Sequence, residues 1–123
     1  ACPDAPLCLG RLVPPLVNTP IILHFGHRVL GMLTLMAIVW LAIWVVRKRT
    51  TTVVRTCALL SAGLAIAQVS LGFLSVLTVL AVIPVSLHTL GAATLLAVLV
   101  HVATLTRLAA AGKAPQTARA WVA

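Results

Sequence analysis

The groups in this chain that could do chemistry are few. Four histidines, His24, His27, His88 and His101, interrupt otherwise apolar stretches. Two of the three cysteines, Cys2 and Cys8, sit together in a proline-rich start. Imidazole can ligate a metal, carry a proton or hydrogen-bond across helices. Thiols can close a disulfide, exchange electrons or bind a metal. The single acidic residue is Asp4, so chemistry that needs a carboxylate deep in the apolar segments cannot come from this chain.

The histidines must be placed by the elements around them. Of 123 residues, 62% are hydrophobic and 8% charged, with Lys+Arg 9 against Asp+Glu 1 and a formal net charge of +8. An ordinary soluble domain is about 45–50% apolar and about 25% charged. This composition cannot supply a polar shell, which excludes a soluble globular enzyme, and it is far too apolar for a disordered tail. A nucleic-acid module would gather its basic residues on a polar, aromatic-bearing face. Here they fall between long apolar runs, so no nucleic-acid partner is expected. The excess of Lys and Arg instead follows the tendency of short cytoplasmic loops to collect positive charge. The fold class read from this is all-α: an integral membrane helix bundle whose immediate partner is membrane lipid.

Three transmembrane spans are predicted, at about 21–46, 55–80 and 84–108. The first has 26 residues and as a helix covers roughly 39 Å, enough for a hydrocarbon core of about 30 Å. Arg47, Lys48 and Arg49 stop it, and Pro84 suits the first turn of the third span. Residues 1–20 hold Pro3, Pro6, Pro14, Pro15, Pro20 and Gly10, which is loop chemistry; residues 109–123 read as a tail. Arg47, Lys48, Arg49 and Arg55 lie between spans one and two, and Arg107, Lys113 and Arg119 follow from the end of span three. Both groups should be cytoplasmic. The expectation is a multi-pass protein of the plasma membrane with an external N-terminal loop and a cytoplasmic C-terminus, Arg11 being the one charge on the wrong side. The odd number of spans behind a loop implies a further helix ahead of Ala1.

Ionisable groups inside a membrane are costly and mark function by default. His27 lies about 9 Å down span one and His88 about 6 Å down span three, counted from the outer ends. These spans run in the same direction, so both imidazoles reach one level near the outer face. Two histidines at matched depth on neighbouring helices can ligate one haem iron from both sides. Gly31, four residues after His27, and Gly91, three after His88, share the faces of their histidines and would leave room for a flat macrocycle. Arg28 is placed to pair with a haem propionate. The plainer reading is that the glycines permit close helix packing and each histidine bonds a neighbouring helix. The matched pair with its glycines favours ligation of haem, with His27 and His88 as the metal ligands.

His24 shares nearly the face of His27, one turn further out, and could be an alternative ligand, a group at the haem edge or a hydrogen-bonder. His101 is about 20 Å deeper than His88 and has no partner at its depth, which favours a structural role. Cys2 and Cys8 form a C-x5-C loop in a compartment that permits disulfides. A disulfide is favoured over a reactive thiol pair, and a metal site is disfavoured because no further ligands stand nearby. Cys57 reads as an unpaired packing residue.

Taken together, CPDAPLC, HFGHRVLGMLTL, QVSLGFLSVLTVL and PVSLHTLGAATLLAVL resemble one half of the haem A synthase (CtaA) family, in the family's order, over most of Ala1 to about Val100. The resemblance implies a four-helix half with an external loop, of which this chain matches helices two to four. It implies His27 and His88 as axial haem ligands and Cys2 and Cys8 as the external cysteine pair. Family members oxidise the C8 methyl of haem O to the formyl of haem A, with haem b in the other half. The catalytic half carries a Glu three residues before the His-Arg histidine, a position occupied here by His24; Ala5 stands where a Trp is common. The chain therefore looks like the haem b half.

Three function classes follow. The first is a haem A synthase-like oxidoreductase acting within a longer chain or a homo-oligomer, with haem b as cofactor and haem O or haem A as substrate or product. The second is a non-catalytic cytochrome b-type subunit of a respiratory or photosynthetic assembly, and the third a structural subunit with no cofactor. Three helices enclose a haem poorly, so further helices are expected from an upstream segment or a partner subunit.

Overall fold

The computed structural model describes residue 2, residues 6–48 and residues 52–110. Asp4, Ala5, Arg49, Lys113 and Arg119 lie outside the described residues. The described residues form three helices, α1 (Thr19–Arg47), α2 (Thr52–Leu77) and α3 (Val82–Ala110), and no strand. All three are long and apolar enough to cross a membrane. The chain is an all-helical membrane protein.

Helix α1 begins two residues ahead of Ile21 because Asn18 caps it. The Asn18 side chain accepts from the Ile21 N–H at 3.3 Å, and Pro20 occupies the first turn, where its missing N–H leaves no bond unmade. The helix closes at Lys48, whose N–H donates to the Val45 carbonyl at 3.1 Å. The Lys48 Nζ lies 5.6 Å from the centre of the Trp44 ring, a cation beside an aromatic as found where helices leave a bilayer. Helix α2 starts at Thr52 and stops at Leu77, three residues short of the predicted end. There the Leu80 N–H donates to the Ser75 carbonyl at 2.7 Å and the Val79 N–H to Val76 at 3.1 Å, a Schellman-type ending. Val79 (φ 53°) and Leu80 (φ 62°) are left-handed there without a glycine. Helix α3 starts two residues before Pro84, which still falls within the first turn and so breaks no helical bond.

Helix α2 is the central element. It packs against both α1 and α3, whereas among the described residues no Cα of α1 lies within 8 Å of a Cα of α3. Buried positions Ser61, Ala65, Gln68 and Ser75 of α2 recur at helical spacing, so one stripe of mostly small residues faces the partners. On α1, Ile38, Ala42 and Val45 are buried. Most remaining large apolar side chains point outwards, Trp40 and Leu60 among them, as a helix surrounded by hydrocarbon requires. The hydroxyls obey the same constraint. Thr34, Ser70, Thr89, Thr94 and Thr104 donate to carbonyls four residues back, at 2.8–3.1 Å, so these five donors do not face lipid unpaired.

Candidate two-histidine site and its loop

His27 on α1 and His88 on α3 extend across the gap that the two backbones leave open. Their ring centroids are 6.2 Å apart with the planes at 82°. An imidazole nitrogen binds a metal at about 2.0 Å with its centroid about 1.2 Å further back, so two rings trans on one ion stand about 6.4 Å apart. The observed centroid separation is of that size. Crossed planes are compatible with that, because each need only contain the metal–nitrogen axis.

The His88 ring is held by α2. Its Nδ1 lies 3.0 Å from the main-chain carbonyl of Gln68. A carbonyl only accepts, so Nδ1 carries the proton and Nε2 keeps the lone pair a metal needs. The ring reaches that carbonyl because α2 has Gly72 there: a Cβ at Gly72 would lie 3.3 Å from His88 Cε1. Gln68 returns the arrangement. Its side chain sits over Gly91 of α3, where an added Cβ would overlap Nε2 of the amide. Gly91, expected to clear space for a macrocycle, thus clears space for Gln68. Gly31 has nothing within 4 Å of its missing Cβ, so its face is open. Gln68 is buried, and its Oε1 has no hydrogen-bond partner. Leaving such an acceptor unmade costs about 1–3 kcal/mol.

His24 and Arg28 turn towards the N-terminal loop. Cys2 and Cys8 are joined by a disulfide and are buried against Ile21, with Phe25 packed alongside. The loop turns at Leu9 (φ 54°) and Gly10 (φ 70°), the two positive values a type I′ turn requires. Cys8 and Arg11 exchange main-chain hydrogen bonds across it at 2.9 and 3.1 Å. The Cys2 N–H donates to His24 Nδ1 at 3.0 Å. A ring accepting at Nδ1 is neutral with its proton on Nε2, so His24 presents an N–H where a ligand would present a lone pair. Arg28 donates to the Leu7 carbonyl at 2.8 Å and to the Cys2 carbonyl at 3.3 Å. His24 and Arg28, on either side of His27 in sequence, therefore fasten the disulfide loop to α1. Arg28, expected at a propionate, has these loop carbonyls as partners.

His101 is exposed on α3 and far along the helix from His88. Cys57 is a free, half-buried thiol. Among the described residues no group of three or more His, Cys, Asp or Glu could enclose a metal. Two imidazoles alone cannot complete a structural zinc site, which takes four protein ligands. They do suit a haem, whose ring supplies the four equatorial nitrogens and leaves two axial positions to the protein. Sequence reading missed Gln68 and Gly72. Gln68 was visible only as the one amide in an apolar span, and nothing in the sequence places Gly72 opposite His88.

Fold and site define a multi-pass membrane protein with a paired-histidine centre beneath a disulfide-closed loop. The sequence matches the family described as cytochrome oxidase assembly protein over residues 1–100, and the chain belongs to that family. A curated relative from Halalkalibacterium halodurans, named heme A synthase, is 46% identical over 48 residues. That alignment covers 39% of this chain and 16% of the relative, so the chain spans only a fraction of the relative's length. No solved structure matches it.

Proposed function

We propose that this chain is a haem-binding membrane module of the haem A synthase type, in which His27 and His88 hold one haem b iron axially. The observation that carries the reading is the 6.2 Å spacing of the two rings, on helices whose backbones stay apart. Family membership and the relative named heme A synthase support a place in haem A biosynthesis. Bound haem would supply one-electron redox chemistry at its iron. The chain's own part is to hold it: His88 offers Nε2 because its Nδ1–H donates to the Gln68 main-chain carbonyl, Gly31 leaves its face of α1 clear, and His24 and Arg28 keep the loop over the outer end.

The position three residues before His27 favours the haem b half. Where the resembling catalytic half has Glu, this chain has His24, which is engaged with the Cys2 N–H. The same observation favours a second reading, a non-catalytic cytochrome b-type electron-transfer subunit. In either reading the chain lies in the plasma membrane with its loop external and its C-terminus cytoplasmic, and further helices come from an upstream segment, a second copy or a partner subunit. Haem O or haem A is then handled by the complete protein.

Absorption spectra of the purified membrane protein test this. A low-spin Soret band is expected in the wild type. His27→Ala and His88→Ala should each lose most of the bound haem, and His101→Ala should retain it. A wild-type protein without Soret absorbance rejects both readings. Co-expression of the complete protein, with its further helices, and a haem O source separates them: haem A accumulates under the first, and haem O persists unchanged under the second.

A further inference from the structure

The α2–α3 interface contains a reciprocal device. His88 of α3 rests over Gly72 of α2, and Gln68 of α2 rests over Gly91 of α3. The two contacts are joined because the His88 Nδ1–H reaches the main-chain oxygen of Gln68 itself, at 3.0 Å. In a helix the residue four positions on lies beside a carbonyl's free side. Here that residue is Gly72, so the second lone pair of the Gln68 carbonyl is open to a neighbouring helix. One turn of α2 thus sets both the tautomer of His88 and the height at which α3 docks.

From this we infer that Gly91 is a positioning residue for His88: the space it leaves takes the Gln68 side chain, which lets α3 lie close enough to α2 for the Gln68 main-chain carbonyl to orient the imidazole. The inference rests on the haem reading only where haem is the readout. The side-chain seat explains why Gly91 must be glycine without any reference to a macrocycle. A Cβ at Gly91 displaces the Gln68 amide, pushes α3 away from α2 and lengthens the Nδ1–carbonyl bond. A Cβ at Gly72 acts on His88 directly, by pressing on Cε1.

The two glycines therefore respond differently to a change at Gln68. The full chain, labelled with 15N-histidine in lipid discs without haem, reports the His88 tautomer from its ring nitrogen shifts. Wild type should show the Nδ1-protonated form. Gly91→Ala and Gly72→Ala should each mix the tautomers. Adding Gln68→Ala should restore the wild-type signature to Gly91→Ala, because the space is released, and should not restore Gly72→Ala. With haem present, Gly91→Ala should lower haem affinity on the order of tenfold, as loss of an orienting partner does, and the double variant should recover most of it. A Gly91→Ala defect that persists unchanged beside Gln68→Ala overturns the inference, since Gly91 then acts on the ligand directly. If Gly91→Ala does not insert, Gln68→Trp pushes against the same seat from α2, and an unaltered tautomer there also overturns it. Failure of the wild type to bind haem removes the haem reading and leaves the tautomer test intact.

Discussion

Two side chains next to the paired histidines have duties that their types alone do not announce. Arg28 holds loop carbonyls of Leu7 and Cys2 with its guanidinium, and hydrogen bonds to a charged group contribute about 1.5–3 kcal/mol each. Arg28→Ala should free the loop from α1 while leaving the helices intact. Hydrogen exchange at the Cys2 amide, which His24 protects, should then rise by at least an order of magnitude; unchanged protection would show that the loop is held by other means. Gln68 carries the opposite imbalance, a buried acceptor with no donor. Gln68→Met keeps the length and drops the unpaired oxygen, so the haem-free protein should unfold at a higher temperature, by up to about 3 kcal/mol of stability. An unchanged or lower midpoint would mean that Oε1 has a partner in the membrane. At this scale sequence reading placed His27 and His88 at one level from depth alone, since helical rise converts residue number into height, and the structure sets their rings 6.2 Å apart. It missed the Gln68–Gly91 and His88–Gly72 pairs, because facing residues on antiparallel helices depend on a register that no single helix encodes.

The spans were legible because composition separates lipid-facing helix from loop; their ends were not. Helix α1 begins early through the Asn18 cap, and α2 ends early through a Schellman-type turn made by Val79 rather than by the glycine that would have signalled it. A β-branched residue in the left-handed region is strained by roughly 1–2 kcal/mol. Val79→Gly should remove that strain at the small entropic cost of a more flexible unfolded chain, for a net gain of about 1 kcal/mol. Thermal unfolding in one detergent compares the two proteins, and a destabilised variant would show that Val79 contributes packing that outweighs its backbone. The N-terminal loop is the other element with its own fastening. The Cys2–Cys8 bond closes a short ring and removes on the order of 2 kcal/mol of unfolded-state entropy. Reduction should make the loop sensitive to protease and leave the helical content unchanged.

At the level of the whole molecule, the described helices whose backbones come close are neighbours in sequence, α1 with α2 and α2 with α3. Among the described residues the outer helices bring the imidazoles of His27 and His88 to 6.2 Å from each other. A ligand held by both rings therefore stabilises the arrangement by mass action, about 2.7 kcal/mol at a hundredfold excess over its dissociation constant. The unfolding midpoint should rise with added haem in wild type and stay fixed in the His27→Ala, His88→Ala double variant. The same topology bears on how the chain is made. Pairings between adjacent segments carry little loop-closure cost, so each helix can dock on its predecessor as it leaves the ribosome and enters the bilayer. The approach of α1 to α3 through His27 and His88 must wait until α3 has been made. It is also the step that a cofactor held by both rings would complete, so loading would follow the insertion of all three helices and would let an empty copy be told from a filled one by how firmly α1 and α3 are held together.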